Sequence, residues 1–523
     1  MSESKKAKLR DFHQAHWDEP VIFELSTRGA RGILVPEAEE EIKAEVGDGI
    51  SSIPEHLRRK EPPALPELFQ AQVLRHYLHL SQATLGADLN IEIGQGTCTI
   101  KYSPKINERF ATSSKVTELH PFQAEGTVQG ALEILYKTDL FLREISGLSR
   151  FIFQPGGGSH GLFAIASMIR AYHELRGESN KRDEIITTIF SHPSNAAAAA
   201  VKGFKVITLY PDKDGYPDID ALKEAVSDRT AGLMITNPED HGLFNSKIAE
   251  FTRIVHEAGG LCSYDQANAN GILGMTRALE GGFDFCFFNL HKTFSSPHGC
   301  GGPAVGAVGV RKEFEQFLPV PLVDFDGERY FLNYDIKHSI GKVRMFYGVL
   351  PVVVRAYAWI MSLGEEGLKE VARVAVLNNN YLMRNISKIR GATIPYDAPG
   401  KHRLEQVRYS WEKLTKDTNV TTEDVQRRMC DFGMHYWTSH HPWIIPEPFT
   451  LEPTESYSKD ELDEYVAALR KVSEEAYTDP QKVKNAPYNS CIHKIDPSLL
   501  DDPEKWAITW RSYLKKHRKD INA

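Results

Sequence analysis

Four features of the 523-residue chain have types and spacing that could do chemistry. The run Gln154-Pro155-Gly156-Gly157-Gly158-Ser159-His160-Gly161 precedes a strong helical pattern, so its backbone N–H groups would crown a helix N-terminus, a ready site for an anion. His192 follows the apolar run Ile185–Phe190, and Asp265 closes a second such run, Gly260–Asp265. Lys292 lies in Phe287-Phe288-Asn289-Leu290-His291-Lys292-Thr293-Phe294, with Gly299-Cys300-Gly301-Gly302-Pro303 just beyond it. Taken singly, the glycine run also reads as a flexible loop, Asp265 as a helix N-cap and His192 as a hydrogen-bonded structural residue. A surface lysine is disfavoured at 292, because its neighbours are apolar or glycine.

The order of the four is more specific than any one of them. Pyridoxal phosphate needs backbone donors for its phosphate and a carboxylate that keeps its pyridine nitrogen protonated. It also needs a flat partner for its ring face and a lysine amine for its aldehyde. The glycine turn, Asp265, His192 and Lys292 answer these in turn. An amine in apolar surroundings is a better nucleophile than one in water.

The elements that must position these residues follow from the pattern around them. From about 150 to 310, β-branched runs such as 184–189, 205–209, 231–236 and 260–265 alternate with helical stretches such as 159–176 and 218–227. That alternation predicts a largely parallel sheet covered by helices, with ligands bound beyond the carboxyl ends of the strands. Helical spacing is also present over 67–83, 125–148 and 350–390, and Gly94-Gln95-Gly96-Thr97-Cys98-Thr99 reads as a second glycine-rich loop. Residues 1–66 are polar and broken by prolines, which suits an extended arm laid over a neighbour. The expected division is therefore an arm over 1–66, a cofactor-binding large domain over 67–350 and a smaller α+β domain over 351–523.

Composition narrows the function classes. With 62 Lys and Arg against 70 Asp and Glu, the net charge of −8 gives no footprint for a nucleic acid. No apolar run approaches bilayer length, and the polar start Met1–Lys6 has no signal-peptide core, so no membrane partner is expected. Six cysteines without zinc spacing suit a reducing, cytoplasmic setting and no metal site.

The segment Asn289–Phe294 with Pro297–Pro303 closely resembles the lysine segment of the glycine cleavage system P-protein, specifically subunit 2 of the two-subunit bacterial form. The resemblance extends over nearly the whole chain, through Arg59–Pro63, Thr97–Lys105, Thr127–Glu133, Ile169–His173, Ser339–Arg344 and Glu452–Glu455. It implies a fold type I, aminotransferase-like α/β architecture. It also implies decarboxylation of glycine, with transfer of the aminomethyl group to the lipoyl arm of an H-protein. By the same resemblance Lys292 would hold the cofactor's aldehyde, Asp265 would pair with the pyridine nitrogen and His192 would stack on the ring. Gly157, Gly158 and Ser159 would cradle the phosphate, and Thr236, Ala267 and His291 would line the cofactor. A subunit 1 and a homo- or hetero-oligomer are the implied partners. The chain departs from the family pattern at Leu162, at Ser191–Ala196, at Gln266, at Glu239-Asp240-His241 and at Glu405-Gln406. These departures leave open a paralogue that keeps the cofactor but takes another amino acid without the H-protein.

Overall fold

The computed structural model describes residues 9–61, 63–86, 88–94, 101–299, 301–397, 401–436, 443–491, 493–496, 498, 502 and 509–517. Of the second glycine-rich loop only Gly94 is among them, and Cys98, Cys300 and the first residues through Lys8 also lie outside. Packing divides the chain into two compact units. One spans Leu85–Asn485 with the chain start through Asp11, and the other joins Phe12–Thr84 to Ala486–Ala523. The three-part division read from the sequence cuts the chain at other points and stays a proposal about folding units.

The larger unit is built on seven strands: β1 Arg150–Ile152, β2 Glu184–Thr188, β3 Lys205–Leu209, β4 Thr230–Thr236, β5 Leu261–Asp265, β6 Phe285–Asn289 and β7 Gly306–Val310. Their order is β1-β7-β6-β5-β4-β2-β3. Every pair from β3 to β6 is parallel, whereas β7 runs antiparallel to both β6 and β1. This mainly parallel α/β sheet is the one the alternation implies. The antiparallel β7 was not legible, since Gly306-Ala307-Val308-Gly309-Val310 carries no directional signal.

Strands β4, β5, β6 and β7 are buried along almost their whole length, so they read as continuous apolar runs and not as alternating ones. Helix α1 (Gln129–Ser146) and helix α2 (Gly158–Leu175) cover the sheet. In α2 the buried Leu162, Ile165, Ala166 and Ile169 recur at helical spacing and pack against Phe285, Phe287 and Val308. Each of the leucine, isoleucine, valine and phenylalanine side chains, taken fully out of water, contributes about 1.5–3 kcal/mol.

Beyond the sheet, helix α3 (Leu350–Ile386) bends at Gly364, whose φ of 64° with ψ of −172° is a combination that only glycine adopts readily. It leads to a small α+β region of the same unit. There β8 (Val407–Ser410) pairs antiparallel with β9 (Pro448–Leu451), backed by helix α4 (Lys459–Thr478). In this region Tyr409, Trp411, Tyr436 and Phe449 form a stacked aromatic core.

The smaller unit is mostly irregular, as expected for the N-terminal segment, but it also holds a short helix, Glu40–Val46, which the prolines had masked. Its helix Gln70–Gln82 is pinned by Glu19, whose two oxygens each lie 2.6 Å from a histidine Nδ1, those of His76 and His79.

Candidate active site

The site residues lie where the parallel strands end. Asp265 is the last residue of β5 and is buried. Its Oδ2 accepts from Asn195 Nδ2 at 2.9 Å and its Oδ1 from the Ala267 N–H at 3.0 Å. Burial pushes its carboxyl above the usual range, while His192, the two hydrogen bonds and Lys292 pull the other way. A buried carboxyl in this balance is suited to meet a protonated nitrogen.

His192 follows β2, and its Nδ1 lies 2.8 Å from Ser194 Oγ. That hydroxyl is in turn 2.8 Å from Ser159 Oγ on the glycine turn. Thr236, at the end of β4, pairs in register with Asp265, and its N–H donates to Ser191 Oγ at 3.0 Å.

Lys292 is buried just past β6, on a turn in which its N–H donates to the Asn289 carbonyl at 3.0 Å. Thr293 Oγ1 accepts from the Ala269 N–H at 2.9 Å, which fixes this turn against the loop after Asp265. His291 is buried beside it with its Nδ1 unpartnered, and burial pushes its imidazole down to about 3.

The turn residues arrive by a different route. Gly157 precedes α2 with a φ of 147°, a conformation side chains rarely adopt, and no side chain caps the helix. A Cβ on Gly158 would come within 2.9 Å of Asn289 Nδ2, so only glycine lets the turn approach β6 this closely. The first-turn N–H groups of an 18-residue helix thus lack a side-chain acceptor, which fits a phosphate. With the unpartnered Asn195 Oδ1, Gln266 Oε1 and His291 Nδ1 beside Asp265 and Lys292, the polar groups present fit pyridoxal phosphate.

One chain of contacts therefore joins Ser159, Ser194 and His192, and a second joins Asn195, Asp265 and Ala267. Sequence reasoning missed Asn195 and Ser194. Their signal was present, since both sit within the stretch Ser191–Ala196 that follows β2.

It also missed a buried charged wall opposite. Glu452, directly after β9, accepts through Oε1 from Asn268 Nδ2 at 2.6 Å and Asn270 Nδ2 at 2.7 Å. Burial pushes it up to about 8. Glu405 is buried too, its carboxyl pushed well up by burial and by Glu452. Lys101, fully buried and held down by desolvation, pairs with Glu455 at 3.0 Å and lies 4.9 Å from the centre of the Trp359 ring. At another departure from the family pattern, Glu239 accepts from Thr188 Oγ1 and is pushed up to about 8 by burial.

Comparison with known proteins bears on the whole chain. Residues 371–493 match the family described as glycine dehydrogenase, C-terminal domain, and residues 148–339 match aminotransferase class-V. A probable glycine dehydrogenase (decarboxylating) subunit 2 from Pyrococcus abyssi is 47% identical over 510 residues, 97% of this chain and 99% of that protein. The Thermococcus kodakarensis protein of the same description is also 47% identical, over 98% of this chain and 100% of its own length. The chain belongs to the glycine dehydrogenase (decarboxylating) subunit 2 family. A crystal structure of glycine decarboxylase (P-protein) in inhibitor-bound form shares the fold, with a TM-score of 0.69 at 19% identity over 84% of this chain and 99% of that one. A NifS-like protein shares it at a TM-score of 0.57, 18% identity, 73% of this chain and 99% of that one. Members of this family are pyridoxal-phosphate enzymes of fold type I, so the chain is one as well, and its family membership supports the glycine reading over a divergent paralogue.

Proposed function

We propose that this chain is the lysine-bearing subunit of a glycine decarboxylase that works with a subunit 1 and passes the aminomethyl group to the lipoyl arm of an H-protein. The observation that carries the reading is 47% identity sustained over 97% of the chain and 99% of the Pyrococcus abyssi relative. When bound, pyridoxal phosphate supplies an electrophilic carbon for the substrate amine and a ring that accepts the electron pair left as carbon dioxide departs.

The chain's own residues do the rest. Lys292 would hold the cofactor through its aldehyde, and its amine would carry a proton whenever it is free of that bond. Asp265, gripped on both oxygens, would keep a proton on the pyridine nitrogen. His192, oriented by Ser194, would be the flat partner of the cofactor ring. Gly157, Gly158 and Ser159 would hold the phosphate with the first-turn amides of α2, and Thr236, Ala267 and His291 would line the cofactor. Closely packed apolar strands below these residues exclude water from the reacting atoms.

Assembly follows from the same reading. The exposed run Ile33-Leu34-Val35 supports an N-terminal segment covered by another subunit, either subunit 1 in a heterotetramer or a second copy. Among the described residues no helix is long and apolar enough to cross a membrane. Four described cysteines are free, which supports a reducing cytoplasmic setting.

The test is release of carbon dioxide from carboxyl-labelled glycine by the chain combined with a subunit 1 and a lipoylated H-protein. The expected result is release that needs all three and is confined to glycine within a panel of amino acids. Equal release from another amino acid, or release indifferent to the H-protein, overturns the assignment.

A further inference from the structure

The buried acid Glu452 has no part in holding the cofactor as assigned above. Its side chain has no solvent-accessible surface, and its two oxygens are treated unequally. Oε1 takes the amides of Asn268 and Asn270, on the loop that begins at Asp265. Oε2 has no hydrogen-bond partner. Glu405 reaches the same loop, where a Cβ on Gly271 would lie 2.4 Å from its Oε2, and this oxygen too is unpartnered. Two carboxyls thus meet one four-residue turn between Asp265 and the Lys292 turn.

The charges facing Glu452 are few. Lys292 and Lys101 are the cations that act on it, and Glu405 is the nearby acid, itself within the field of Asp240. Lys101 is already paired with Glu455. Asp265 is occupied by Asn195, the Ala267 N–H and the field of His192. Asp265 also lies in the field of Lys292, but both of its oxygens are engaged; Glu452 is the acid in that field that keeps a bare oxygen, on a loop fastened to the Lys292 turn by the Ala269–Thr293 bond.

We propose that Glu452 is a positioning residue that stores the proton Lys292 needs. This rests on the assignment of Lys292 as the cofactor lysine. While the lysine nitrogen is bound to carbon, Glu452 is a neutral acid. When the nitrogen is released, the Glu452 O–H bond breaks and an N–H bond forms, so that carboxyl and amine become carboxylate and ammonium with no change in their summed charge. The reverse transfer returns the proton when the lysine re-forms its bond. A neutral acid is what burial beside Glu405 favours, since two carboxylates sharing one dry turn repel.

The test reads the amine itself. The full-length chain without cofactor is labelled with acetic anhydride across a pH series, and Lys292 is followed by peptide mass spectrometry with the exposed Lys213 as internal reference. In Glu452→Gln the amide oxygen keeps both asparagine bonds, so the turn holds while the negative partner of Lys292 is gone. The midpoint of Lys292 labelling is expected to move about one pH unit or more to lower pH, with Lys213 unmoved. Glu452→Asp, which keeps the charge one methylene farther away, is expected to move it less and in the same direction, and it serves alone should the Gln variant fail to fold. An unmoved midpoint in both, or an equal move in both, overturns the proposal. Borohydride reduction of the loaded parent protein separates the two readings. Label on Lys292 with an unmoved midpoint sinks only the role of Glu452, whereas label elsewhere sinks the site assignment.

Discussion

At the strand ends, Asp265 is buried with a hydrogen bond on each oxygen and a histidine nearby; across the site, Glu452 is equally buried with one oxygen doubly engaged and the other bare. The first arrangement engages both oxygens. The second leaves room for a proton to come and go. Burial raises the cost of the charged form in both, and in each two hydrogen bonds and nearby cations oppose it; what differs is whether both oxygens are engaged. A carboxyl that must keep one protonation state is surrounded, and one that must change state is left half open.

Lys292→Ala removes the group on which both walls converge and gives the largest expected effect. Turnover should fall by about 10²–10⁴-fold, and gel filtration in denaturant after borohydride treatment should retain no cofactor. Persistent retention would mean that another amine forms the bond.

Asp265→Asn comes next. An amide cannot hold a proton on the pyridine nitrogen, so kcat should drop about a hundredfold or more while the cofactor still binds. Asp265→Asn gives up one of the two accepted hydrogen bonds while it removes the cost of burying a carboxylate, so the melting temperature of the cofactor-free variant should stay within a few degrees of its parent, ~5 °C at most. A larger fall in melting temperature with intact turnover would reverse the assigned role from functional to structural.

Gly157→Ala is expected to be milder. The φ of 147° makes any side chain there cost about 1–3 kcal/mol, and because the strain falls in the phosphate turn, cofactor affinity should weaken by about tenfold. Titration of the cofactor absorbance would show it; unchanged affinity would place the phosphate elsewhere.

The smallest effect sharpens the contrast between the acids. Glu452 and Glu239 are each raised from 4.5 to about 8 by burial. Between those values the folded chain binds protons that the unfolded chain has lost, so these groups contribute stability that is full below about pH 4.5 and lost as pH rises toward 8. The slope for one such group is at most about 1.4 kcal/mol per pH unit. Urea midpoints measured from pH 5.5 to 8 should fall, and Glu452→Gln should flatten the fall; an identical slope in the variant would show that Glu452 carries no proton in that range.

The contrast also marks what the sequence made legible. Asp265 and Lys292 could be read because each closes or follows a continuous apolar strand, and the glycine turn because it leads into the periodic pattern of Leu162, Ile165 and Ile169. Asn195 and Glu452 could not, because what makes them matter is contact across 70 and more than 180 residues of chain, as in the Asn195–Asp265 and Asn268–Glu452 bonds. Glu405 stood out only as a departure from a resemblance. Its meaning depends on burial against Gly271, which no local pattern records. The antiparallel β7 and the helix Glu40–Val46 were missed for a related reason, since five small or apolar residues and seven charged-rich ones fit several structures equally well.

The central claim is that one lysine among the 523 residues carries the cofactor. Reduction of the pyridoxal-phosphate-loaded protein with borohydride, followed by proteolysis and peptide mapping, tests it most directly. The account predicts a single phosphopyridoxyl label on the peptide containing Asn289-Leu290-His291-Lys292, lost in Lys292→Ala. A label on any other lysine, Lys101 included, or no label at all, would contradict it.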